Sequence, residues 1–107
     1  MRRFAMALLL VAPLAARAQP SNGAEIWRRR CAMCHGEDGR GQTQQGQRSS
    51  IPDLTNPAWQ ALRTDERIRA AILLGGKQMP GFKDRLAKED LDALVGFIRG
   101  LKGGSRR

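Results

Sequence analysis

The clearest hydrophobic pattern lies near the C-terminus. Leu91, Leu94, Val95, Ile98 and Leu101 recur at spacings of three and four, which puts them on one face of a helix predicted from about Lys88 to Lys102. Ala87 is a poor cap for it, and Glu89 and Asp90 in the first turn compensate partly through the helix dipole. Ile68, Ala71 and Ile72 share a face of a second helix, Asp65 to about Leu74, capped by Thr64 and ended by Gly75. Asn56 followed by Pro57 predicts a short helix to Leu62. Asn22-Gly23-Ala24-Glu25 opens a helix through Ile26 and Trp27 to about Cys31, with Asn22 as cap and Glu25 three residues on. From Gly36 to Ser50 the chain is polar, with Gly at 36, 39, 41 and 46 and Gln at 42, 44, 45 and 47, a loop composition. No segment reads convincingly as a strand, so the pattern predicts an all-α fold.

The N-terminal pattern is different. Arg2 and Arg3 precede an uncharged, Leu- and Ala-rich run from Phe4 to Ala16, and Ala16-Arg17-Ala18 has small residues on either side of one position. This is the layout of a secretory signal peptide cleaved after about Ala18. The run is shorter than the roughly 18 to 20 apolar residues of a membrane span and is interrupted by Pro13, which argues against a retained anchor. The expected organisation is a signal peptide over 1–18, one domain over 19–102, and a flexible tail over 103–107. The place of function is then the periplasm.

Composition sharpens this. The 107 residues suffice for one small domain. Two Cys and one His cannot build a four-ligand structural zinc site without a carboxylate, nor a disulfide-dense scaffold. Cleavage after Ala18 leaves 89 residues with 16 basic and 10 acidic side chains, a net of +6. A chain of that size is near the limit at which a hydrophobic core alone is sufficient, and a covalent staple or a cofactor helps.

The chemistry is concentrated in Cys31-Ala32-Met33-Cys34-His35, the attachment signature of c-type haem. One helical turn sets two thiols where they add to the two vinyl groups on one porphyrin edge, and the next residue, His35, lies where an imidazole nitrogen reaches the iron. A thioredoxin-like pair needs a preceding strand and a βαβ context, which are missing. A plain disulfide between Cys31 and Cys34 is the other competing reading. His35 is the only His, so this chain offers no second imidazole. Of the four Met residues, cleavage removes Met1 and Met6, and Met33 lies inside the attachment loop. Met79 remains as the thioether for the other face of the iron. It stands between Gly75-Gly76 and Pro80-Gly81, in a tight loop; plain packing of Met79 is the alternative.

From Gly23 to about Leu101 the sequence resembles class I cytochrome c in its small bacterial form. Gly23 and Trp27 stand eight and four positions before Cys31, and Leu94 and Phe97 stand in the last helix, where that family has its helix-crossing residues. Ile51-Pro52-Asp53-Leu54 resembles the family's Gly-Pro-x-Leu loop, and Met79-Pro80-Gly81-Phe82 its distal ligand loop. The resemblance implies four or so short helices wrapped around one covalently attached haem c, with the first and last helices crossing. It implies Cys31 and Cys34 as thioethers, His35 and Met79 as axial iron ligands, and a Pro52 carbonyl accepting a hydrogen bond from His35. Phe97 replaces the commoner Tyr, and Ala87 the usual Ser or Thr cap.

With both axial positions filled, the iron has no open site, which argues for electron transfer rather than catalysis. The leading expectation is a soluble periplasmic one-electron carrier. The alternative is a dedicated cytochrome c subunit of a periplasmic dehydrogenase or oxidoreductase complex. A ligand-binding or peroxidatic haem protein requires Met79 off the iron. Expected partners are redox proteins: a dehydrogenase, a membrane respiratory complex or a terminal oxidase or reductase. Nucleic acid and a permanent membrane span are not expected. Leu54, Ile68, Ile72, Leu73, Phe82, Leu94 and Ile98 are candidate ring contacts, each of which could equally be helix-to-helix core. Trp59 is a candidate propionate contact, as is Arg48. Lys77, Lys83 and Arg85 are candidates for a basic rim that steers acidic partners.

Overall fold

The computed structural model describes residues 2–9 and 22–104; the predicted cleavage after Ala18 and residues 105–107 of the tail lie outside them. Among the described residues there are six α-helices and no named strand: α1 (Gly23–Arg30), α2 (Ala32–His35), α3 (Gln44–Arg48), α4 (Pro57–Leu62), α5 (Asp65–Leu74) and α6 (Lys88–Arg99). No helix among these residues is long and apolar enough to cross a membrane.

The starts of α1, α4 and α5 follow from local chemistry. Asn22 accepts from the Glu25 N–H, Asn56 from Ala58 with Pro57 at the first position, and Thr64 from Arg67. Each side chain satisfies one of the donors that a helix start leaves open. Glu25 also pairs with Arg29 one turn on, at 2.7 Å. Helix α6 begins at Ala87 without a side-chain cap, with Glu89 and Asp90 in its first turn.

The core forms where α1 crosses α6. Trp27 and Leu94 are 1% exposed and Leu101 is fully buried. The Trp27 and Phe97 rings stand 5.3 Å apart. Gly23 lets the helices meet: a Cβ there would stand 2.3 Å from the Ala93 carbonyl oxygen, a distance that no side chain tolerates. Helix α5 joins α6 through Arg69 and Asp92 at 2.5 Å.

A polar knot ties α4 to α6. Gln60 is buried, and its amide donates to the Leu54 carbonyl at 2.8 Å and to the Ile98 carbonyl at 2.9 Å. Arg99 donates to the Gln60 carbonyl and to Asp65, each at 2.7 Å, and to the Arg63 carbonyl. The Leu54 carbonyl and the last carbonyls of α4 thereby gain donors.

Three local expectations change. The first helix stops at Arg30, turns at Cys31 and restarts at Ala32. The polar stretch from Gly36 to Ser50 is not all loop: Thr43 accepts from the Gly46 N–H and starts α3. Gly103 and Gly104, expected to fray, lie in a 3-10 turn over Lys102–Gly104, where the Gly103 N–H donates to the Thr55 carbonyl at 2.7 Å.

Candidate functional site

A cavity of about 1090 Å³ opens between α1–α2, the polar segment 45–54, α4–α5 and the connection from α5 to α6. That is slightly above the usual size of a cofactor pocket, about 300 to 1,000 Å³. Cys31, Cys34 and His35 line it from the α1–α2 side, Pro52 and Leu54 from the segment after α3, and Met79 from the connection before α6. Residues far apart in sequence are thus brought to one hollow.

The end of α2 is held firmly. The Trp27 indole N–H donates to the Gly36 carbonyl at 3.0 Å. Thr43 Oγ1 donates to the Cys34 carbonyl at 2.5 Å, and the Gly41 N–H to the His35 carbonyl at 2.7 Å. The His35 ring lies 5.6 Å from that of Trp27. Its Nδ1 is buried and makes no hydrogen bond. The bond expected between His35 and the Pro52 carbonyl is therefore not formed here, although both residues line the same cavity. Burial also pushes the imidazole pKa down, which favours the neutral form that binds metals.

The two cysteines are free thiols, not a disulfide. Burial, and then the neighbouring Cys34, push Cys31 up to about 11. A redox dithiol needs a depressed pKa, so the environment disfavours the thioredoxin-like reading. Among the described residues no cluster of three or more His, Cys, Asp or Glu is placed to hold a metal ion. A metal at this site needs a carrier that supplies most of its ligands.

Met79 ends a tight turn. The Gly76 N–H donates to the Met79 carbonyl at 3.0 Å, and the Met79 N–H returns to the Gly76 carbonyl at 2.9 Å. Gly75, at φ +63, makes this turn possible, because a Cβ there would stand 2.4 Å from the Met79 carbonyl oxygen. Beyond the turn, the Phe82 N–H donates to the Ile72 carbonyl at 3.0 Å, which pins the connection to α5.

The charges around the cavity are of one sign. Arg30, Arg48, Arg63, Arg67 and Lys77 line it, with no Asp or Glu. The acid-paired cations found among the described residues (Arg29, Arg40, Arg69, Lys88 and Arg99) lie elsewhere. A cavity with two thiols, an unpartnered imidazole nitrogen, a thioether and a cationic wall fits a haem: an apolar ring, an iron and two carboxylates.

Of the apolar candidates, Leu54, Ile68, Ile72, Phe82 and Ile98 line the cavity, and Leu73 and Leu94 do not. Leu94 is buried in the core beside the crossing with α1, and Leu73 is half-buried against the same core. Trp59 and Arg48 line the cavity. Of the proposed basic rim only Lys77 does; Lys83 and Arg85 are exposed outside it. Sequence reasoning missed Arg30 as a cavity residue and did not single out Arg63 or Arg67. Their only local signal is the four-residue spacing of Arg63 and Arg67.

Residues 18–98 match the protein family described as cytochrome c oxidase, cbb3-type, subunit III. The cbb3-type oxidase subunit CcoP of Rhodobacter capsulatus is 31% identical over 95 residues, covering 81% of this chain and 31% of the relative. The subunit FixP of Azorhizobium caulinodans is 35% identical over 83 residues, covering 77% of this chain and 27% of FixP. The chain thus spans about a third of the length of these curated relatives. Among solved structures, the KustC0563 c-type cytochrome superposes with a TM-score of 0.72 at 35% identity, covering 76% of this chain and 98% of that one.

Proposed function

The chain belongs to the c-type cytochromes of the cbb3-type oxidase subunit III family, whose cofactor is a covalently bound haem c, and from that premise we propose that it is the electron-transferring haem domain of an oxidoreductase complex. Likeness to CcoP and FixP supports a complex subunit over the free carrier that the sequence suggested first. By the same likeness, its partners are the redox proteins of a respiratory chain ending in a terminal oxidase, and its site of action is the periplasmic face.

The observation that carries this reading is one cavity lined by Cys31, Cys34, His35 and Met79 together. Bound there, haem c supplies a one-electron iron couple. The thiols of Cys31 and Cys34 would form the thioethers, each S–H adding across one vinyl group of the porphyrin. His35 would bind the iron through one ring nitrogen, and a hydrogen bond from the other ring N–H to the Pro52 carbonyl, not formed in this structure, would fix the tautomer. The Met79 thioether would hold the iron from the other side of the cavity and, by favouring the reduced state, would raise the potential relative to two imidazoles. The cationic wall, with Trp59 beside it, holds the propionates. Leu54, Ile68, Ile72, Phe82 and Ile98 keep water from the ring and raise the potential further. With His35 and Met79 both holding the iron, the chain would pass electrons rather than act on a substrate.

Absorption spectroscopy of the purified protein tests this. The expected result is a haem that stays with the polypeptide in acid acetone and shows six-coordinate His/Met bands, without rapid binding of carbon monoxide on reduction. Pigment that partitions into the solvent refutes the covalent site. Rapid carbon monoxide binding removes Met79 from the iron and favours a ligand-binding haem protein. Co-purification with an oxidoreductase at a fixed ratio distinguishes a subunit from a free carrier.

A further inference from the structure

The turn that carries Met79 is held to α5 by backbone bonds and to the other side of the cavity by side chains. Gln78, the residue just before Met79, accepts from Gln45 Nε2 at 3.1 Å and from the Ser49 hydroxyl through the same Oε1 atom. Gln45 Nε2 also donates to Ser49 Oγ at 2.8 Å. The three side chains form a closed polar triangle between α3 and the Met79 turn, and all three residues line the cavity.

We propose that this triangle is a clasp that positions Met79 against the iron. The inference rests on the reading of Met79 as an axial ligand and concerns what keeps it there. Helix α3 is anchored to the His35 side, because Thr43 caps it and donates to the Cys34 carbonyl at 2.5 Å. A continuous path therefore runs from Cys34 through Thr43 and α3 to Ser49, then to Gln78 and Met79. It joins the segments carrying the two axial ligands without passing through the cofactor, so their separation is set by the protein.

The backbone gives independent support. Among the described residues, Ser50 (φ +50) and Lys77 (φ +48) are the non-glycine residues in the left-handed region. Each is the chain neighbour of a clasp residue, Ser50 of Ser49 and Lys77 of Gln78. Such conformations are unfavourable for side-chain-bearing residues and persist where surrounding contacts over-determine them. The clasp supplies those contacts on both of its ends.

Gln45, Ser49 and Gln78 are positioning residues under this proposal, since none need touch the iron. Carbon monoxide binds the reduced iron only while Met79 is off it, so its binding rate reports how often the ligand swings away. The experiment measures that rate in the haem-loaded protein, normalised to covalent haem, beside the thioether charge-transfer band of the oxidised form. Gln78→Ala and Ser49→Ala should each bind carbon monoxide several-fold to about tenfold faster, the loss of one or two exposed hydrogen bonds, with a weakened thioether band. Because both act through one triangle, the double variant should exceed Gln78→Ala only slightly. Gln78→Glu keeps an acceptor for Ser49 and Gln45 and should restore the slow rate. Rates within about twofold of the parent in both single variants overturn the clasp, as do effects that multiply in the double variant. A parent protein that binds carbon monoxide rapidly and lacks the thioether band overturns the ligand reading itself, a different and recognisable failure.

Discussion

The α1–α6 crossing and the loop wall of the cavity are held together by different physics. At the crossing, Trp27, Leu94 and Leu101 are buried almost completely, and Gly23 brings backbone against backbone. Across the cavity, the segment 36–56 and the Met79 turn are held by backbone bonds, caps and exposed amides, and the cations that face them have no acidic neighbours among the lining residues. The crossing supplies its own driving force through apolar burial. Apart from the buried Leu54, the wall has little of it until an apolar ring fills it and carboxylates meet its cations. One half of the molecule is a scaffold, and the other is a mould completed by the cofactor.

The largest effect should come from removing what completes the mould. Cys31→Ala with Cys34→Ala abolishes covalent attachment, and in a domain this small the loss should leave most of the chain without fixed structure. Far-UV circular dichroism during a thermal melt checks it: low helix content and no cooperative transition are expected. A cooperative melt with native-like helix content would mean that the wall folds without its ring.

The crossing should break by ordinary core rules. Leu94→Ala removes a residue that is 1% exposed and should cost about 2 to 5 kcal/mol of holoprotein stability. Gly23→Ala forces a Cβ to within 2.3 Å of the Ala93 carbonyl oxygen and should cost about 1 to 3 kcal/mol as the helices separate. Gln60→Leu tests the knot behind the cavity, since it strands the Leu54 carbonyl without a donor, while the Ile98 carbonyl keeps the Leu101 N–H; about 1 to 3 kcal/mol is expected. Denaturant melts of the haem-loaded proteins give all three values, and the haem bands should hardly change in any of them.

The same division explains what the sequence disclosed. Helices α4 and α5 were legible because Asn56, Pro57 and Thr64 are caps that act within three residues. The haem signature was legible because its chemistry is contiguous. Helix α3 was hidden by Gly46 and a run of glutamines, with only Thr43 as a local sign of its start. The stripe on α6 showed that Leu94 is buried but left it between the ring and the crossing with α1; it packs in the core beside α1, where the family resemblance had put it. Arg63 and Arg67 reach the cavity through the packing of α4 and α5, and Gln78 meets Ser49 across 29 positions. Contacts of that kind have no periodicity to read.

The smallest effect concerns the surplus charge on the wall. Five cations line the cavity, more than the two propionates of a haem can neutralise, and the remainder faces outward as a field that attracts acidic proteins. The sequence placed such a rim at Lys77, Lys83 and Arg85, whereas only Lys77 lines the cavity. The two placements make different forecasts for electron transfer with an acidic redox partner. If the cavity cations steer, Arg63→Gln with Arg67→Gln should slow association several-fold at low ionic strength and flatten its dependence on salt. Lys83→Gln with Arg85→Gln, an equal loss of charge outside the cavity, should change it much less. Exposed charges act over about 10 Å at 0.1 M salt, so the contrast should fade as ionic strength rises. Rates that are independent of salt in the parent protein would remove steering from either set, and equal slowing by both pairs would assign it to net charge rather than to the wall.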